Sequence, residues 1–125
     1  MSTDPIRQFR CHNDACKRIL DFMTDENIQL KNVISLFLDR PLDEKSLEKI
    51  EGYYSRLLKA DELITILKND LTDFDLRLNR QGLHDINTVT ELQNITFQIK
   101  GNIETAEKEF ILLRNDFNTY MVTEL

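Results

Sequence analysis

"IEGYYSRLLKADELITILKNDLTDFDLRL" runs from Ile50 to Leu78. Within it Ile50, Tyr53, Leu57, Ala60, Ile64, Leu67, Leu71, Phe74 and Leu78 follow one another at steps of three and four without a miss. A strand buries every second residue, whereas this spacing places all nine side chains along one stripe of an α-helix. Alternating steps of three and four form the heptad seam through which helices pack knobs into holes. The stretch therefore predicts a long helix packed against other helices along its whole length.

The same grid continues on both sides. Toward the C-terminus it holds Val89, Leu92, Thr96, Ile99, Ile103, Ala106, Phe110, Leu113, Phe117 and Tyr120, with Thr96 the one polar member. Toward the N-terminus Phe9, Cys16, Met23, Leu30 and Phe37 fall seven apart. Punctuation sets the ends. Asp4 can cap, and Pro5 suits a first helical position because its missing N–H costs nothing there. Pro41 stops the first helix and pushes Arg40 out of helical geometry. Asp43 can cap the second helix, with Glu44 at the positive end of its dipole. Gly82 suits a left-handed stop, and Asp85 or Asn87 can start the third helix. Gly52 and Gly101-Asn102 do not reset the heptad phase, so both are read as helix interior.

The expected helices cover about 5–38, 43–80 and 85–122. Their short connections make neighbours antiparallel. The expected fold is all-α, an antiparallel up-down-up bundle of three long helices with heptad packing, forming one domain over 1–125.

The totals agree with this reading. The 125 residues include three glycines, two prolines and no tryptophan, which leaves few turns. The net charge is −6. Nucleic-acid binders gain affinity by neutralising phosphates with Lys and Arg, and the one basic cluster, Arg7 to Arg18, is diluted by Asp14. No nucleic-acid or membrane partner is expected. The start "MSTDPIRQF" lacks the basic and apolar runs of a signal peptide, and the longest apolar run, Val33 to Leu38, contains Ser35. A cytoplasmic location is expected.

Chemistry is sparse. "CHNDAC" (Cys11 to Cys16) holds two thiols and an imidazole, but a helix scatters them around its axis. Cys11 and Cys16 would lie ~8 Å apart at 1.5 Å per residue, too far for a disulfide. Only His12 and Cys16 share a face, and two ligands do not hold a metal. His84 falls at the same end of the bundle, with Asp70 and Asp73 nearby, so a His12–Cys16–His84–Asp cluster is the metal arrangement open to this topology. No cofactor is expected. No phosphate loop, dinucleotide fingerprint or nucleophile triad is present, so the expectation is a protein without enzymatic activity.

Two further features bear on function. Glu26 and Asn27 put polar groups at the middle of a packed face, where such groups lower stability but fix register. Aligning residue 38 with residue 44 brings Glu26 near Arg56, and a buried Glu26–Arg56 pair is expected. Leu58, Leu63, Ile66, Phe97, Ile111 and Leu112 lie off the seams, either widening the core or forming an interaction face.

"FMTDENIQLKN" (Phe22 to Asn32), "ADELITILKND" (Ala60 to Asp70) and "AEKEFILLRNDFNTY" (Ala106 to Tyr120) resemble a family of short, uncharacterised, all-helical bacterial proteins. That resemblance implies a stand-alone coiled-coil protein and carries no catalytic residue. The reading is of a non-enzymatic helical interaction or structural module acting through a protein partner or self-association, with a homodimer among the homo-oligomers open to it. The alternative is a bundle that binds a ligand or metal through polar groups inside it.

Overall fold

A computed structural model describes residues 5–81 and 86–125. The chain is a bundle of three helices, α1 (Pro5–Leu38), α2 (Glu44–Gln81) and α3 (Ile86–Glu124). Each packs on both others. Arg10 of α1 meets Asn79 of α2, and Asn27 meets Asp61, so α1 and α2 run antiparallel. Tyr53 of α2 meets Asp116 of α3, and Arg77 meets Glu91, so α3 reverses again.

The helix ends follow the punctuation where they are described. Asp43 Oδ1 accepts from the Ser46 N–H at 2.7 Å, and α2 starts one residue later. Hydrogen bonding from the Ser46 side chain, and then from its N–H, lowers the Asp43 pKa below its ordinary value. At the end of α1 the Arg40 N–H donates to the Phe37 carbonyl, tightening the last turn before Pro41. Asn87 lies inside α3 rather than before it. Asp4, Gly82 and Asp85 lie outside the described residues.

The seams are the core. Ile50, Leu57, Ile64, Leu67, Leu71, Phe74 and Leu78 of α2 are buried, as are Leu92, Ile99, Ile103, Ala106, Phe110, Leu113, Phe117 and Tyr120 of α3. Tyr53, Ala60, Val89 and Thr96 are half-buried. Helix α1 buries two columns. One is Phe9, Cys16, Met23 and Leu30; the other is Asn13, Leu20, Asn27 and Ile34. Phe9 and Phe74 meet edge to face, with ring centroids 5.7 Å apart.

Helix α3 runs unbroken through Gly101, and α2 through Gly52. A methyl built on either glycine meets no atom within 4 Å. Nothing in the packing requires glycine there, so its cost in a helix interior is recoverable. Gly52→Ala and Gly101→Ala are each expected to stabilise the fold by about 1 kcal/mol. A higher urea midpoint at unchanged slope checks this; a lower midpoint would contradict it.

Candidate functional site

The α1/α2 interface carries a polar ladder along one flank. Asn13 Nδ2 donates to Asp75 Oδ1, and Lys17 Nζ meets Asp75 Oδ2, both at 2.6 Å. Asn27 Nδ2 donates to Asp61 Oδ1, and Lys31 Nζ meets Asp61 Oδ2. The two clamps are the same device, an Asn and a Lys four residues apart sharing one aspartate, repeated after fourteen residues on both helices. Between them Lys68 Nζ reaches Thr24 Oγ1 and Asp21. Asp75 raises the Lys17 pKa above its ordinary value.

Asn13 and Asn27 are 2% and 0% exposed, the buried polar residues among those described. Asn27 Nδ2 also donates to the Leu57 carbonyl at 3.0 Å, while its Oδ1 finds no partner among the described residues.

The expected Glu26–Arg56 pair does not form. Glu26 Oε1 lies 3.6 Å from Arg114 Nη1 of α3, and its side chain stays 27% exposed. Arg56 lies 3.8 Å from Asp116 and stacks over the Tyr53 ring. The reason is register. The two Asn–Asp clamps set residue 26 level with residue 62, six positions from Arg56. Aligning the helices end to end misses this, because the start of α2 projects beyond the end of α1. Glu26 also sits with His12, Ile19 and Val33 on the flank of α1 that faces α3.

His12 and Cys16 do share a face, with Sγ 3.8 Å from Nδ1. Burial, then the charge of Lys100, lowers the His12 pKa, against smaller opposing effects of Asn13 and Glu104. Burial raises the Cys16 pKa, which keeps the thiol protonated and unreactive. Cys11 is exposed and free. His84 lies outside the described residues. Asp70 and Asp73 line the α2/α3 cleft, away from the flank that carries His12. Among the described residues no three His, Cys, Asp or Glu side chains are grouped as metal ligands would be.

The lowered His12 pKa has a consequence for stability. Between the folded and unfolded pKa values the unfolded chain binds more protons, so the His12 contribution is lost as pH falls below about 6.5. The melting temperature of the wild type is expected to fall between pH 7 and 5 by more than that of His12→Gln. Parallel melting curves would contradict this.

Off the seams, Leu58, Leu63, Ile66, Phe97 and Leu112 are exposed, while Ile111 is half-buried. They do not make one face. Leu58 is one turn before Asp61, Phe97 one turn before Lys100 and Ile111 one turn before Arg114, all on sides turned toward α1. Leu63 and Leu112 instead flank a groove of about 380 Å³ between α2 and α3. Met23 of α1 is at its floor, and Ala60 and Ala106 leave it open where larger seam residues would fill it. A second cleft, lined by Asp70, Asp73 and Ile95, continues along the same helix pair.

Against protein-family models, curated proteins and solved structures the chain gives no significant match. No described helix is long and apolar enough to cross a membrane. Heptad spacing alone does not single out the aspartates of the ladder. Asn-x-x-x-Lys at residues 13 and 27, with Asp61 and Asp75 at the same fourteen-residue interval, was the available signal.

Proposed function

We propose that this chain is a non-enzymatic helical interaction module whose working surface is the outer α2/α3 face. The observation that carries the reading is the groove between Leu63 and Leu112, with Ile66 exposed beside it and alanines at its base. Single exposed apolar residues need no explanation, but a groove flanked by several on adjacent helices fits a docked helix. Helix α3 strengthens the reading, since it exposes Leu112 at the edge of the groove, beyond the stripe its own bundle buries. The interior polar groups favour a ligand less, because Asn13, Lys17, Asn27 and Lys31 already bind Asp75 and Asp61.

Sedimentation of the purified chain across a wide concentration range tests the reading. The expected result is a mass above the 14.8 kDa of one chain, reduced to that mass by Leu63→Asp with Leu112→Asp while the helix content holds. A wild type that stays one chain at every concentration, with the double variant indistinguishable from it, would count against self-association.

A further inference from the structure

Helix α2 carries a second line of side chains at steps of three and four, outside its core seam: Arg56, Lys59, Leu63, Ile66, Asp70 and Asp73. Leu63, Arg56 and Lys59 line the α2/α3 groove, and Asp70 and Asp73 line its continuation. The order along the helix is two bases, two apolar residues, two acids. Read against itself in reverse, Arg56 falls opposite Asp73, Lys59 opposite Asp70 and Leu63 opposite Ile66. All three pairings share one centre, between Ile64 and Thr65.

We propose that a second copy of this chain docks here, α2 antiparallel to its counterpart on a two-fold axis through that centre. The proposal deepens the interaction-module reading and rests on it. A two-fold interface requires one patch to be complementary to itself, and this stripe is. Each pairing occurs twice, giving four ion pairs around a centre made of Leu63 and Ile66 from both copies, with Leu112 beside it.

The charges are available for this use. Lys59, Asp70 and Asp73 make no ion pair with any described residue, and Arg56 makes only a long one at 3.8 Å. Elsewhere on α2, Asp61, Lys68, Asp75 and Arg77 are all engaged within the chain. The stripe spans about 26 Å at 1.5 Å per residue. Beyond its ends Lys49 and Arg80 would face each other as like charges, where two crossing helices have separated; Lys49 is already drawn over the Tyr120 ring. Apolar burial at the centre would supply affinity, and the flanking charges would fix the antiparallel orientation.

Two charge-reversed double variants test the pairing. Arg56→Glu with Lys59→Glu gives a stripe acidic at both ends. Asp70→Lys with Asp73→Lys gives one basic at both ends. Sedimentation equilibrium of each alone is expected to show self-association weakened about tenfold or more. An equimolar mixture is expected to restore two-chain assembly, since all four ion pairs re-form between unlike chains. Circular dichroism showing unchanged helix content separates this from a folding defect, which mixing would not repair. A folded pair of variants that stays unassembled on mixing overturns the proposal, as does a wild-type assembly indifferent to both reversals; in that case the interaction-module reading survives. A wild type that is one chain throughout overturns the pairing and leaves the groove to a helix from another protein.

Discussion

Phe117→Ala is expected to destabilise the bundle by about 3–5 kcal/mol. The ring is 1% exposed on the α3 seam, packed against Tyr53 with centroids 5.2 Å apart. Removing it leaves a cavity among long helices whose backbones are held in place along their whole length, so the gap cannot easily close. Small domains have only about 5–15 kcal/mol in total, so the loss would be a large part of it. Urea unfolding measures it. Phe97→Ala, on the same helix but 78% exposed, is the control and is expected to change stability by less than about 0.5 kcal/mol. Equal losses at the two positions would mean that α3 is turned differently about its axis.

Asp61→Ala is expected to cost about 1–3 kcal/mol, mainly by leaving the buried Asn27 amide short of its charged acceptor. Lys31, partly solvated, contributes less. Asn27→Leu is expected to be stabilising or neutral, because it removes a buried amide whose Oδ1 has no partner. Combined with Asn27→Leu, Asp61→Ala should cost clearly less than it does alone. Coupling in a double-mutant cycle is expected to exceed 0.5 kcal/mol on the scale usual for residues in one network. Additive effects would show that the clamp carries no energy of its own.

The value of the ladder lies in alignment more than in stability. Apolar seams repeat every seven residues, so they tolerate a slip of one heptad. The clamps repeat every fourteen. A one-heptad slip of α2 in either direction sets Lys68 against Asn13 and Lys17 or against Asn27 and Lys31, bringing like charges together at a buried amide. A polar residue on a seam gives up stability and specifies register in this way. Replacing both asparagines by leucine is therefore a route to a tighter but less uniquely aligned bundle.

What the sequence determined by itself is what is periodic or local. The nine residues from Ile50 to Leu78 declared a helix and its buried stripe, because side-chain direction follows from backbone geometry alone. Pro5, Pro41 and Asp43 declared ends, because a missing N–H or a capping carboxylate acts within one turn. The unbroken phase across Gly101 was legible for the same reason. What only the tertiary structure decided is how the three stripes slide and turn against each other. Glu26 had a candidate basic partner on either neighbouring helix, Arg56 or Arg114, and its own helix cannot say which one the register brings to it. The off-seam apolar residues likewise read as one set in sequence, and only packing divided Leu63 and Leu112 of the groove from Leu58, Phe97 and Ile111. Heptad seams are degenerate under translation, so the relative position of two helices is fixed by side chains that meet across 62 residues of chain, as Asn13 and Asp75 do.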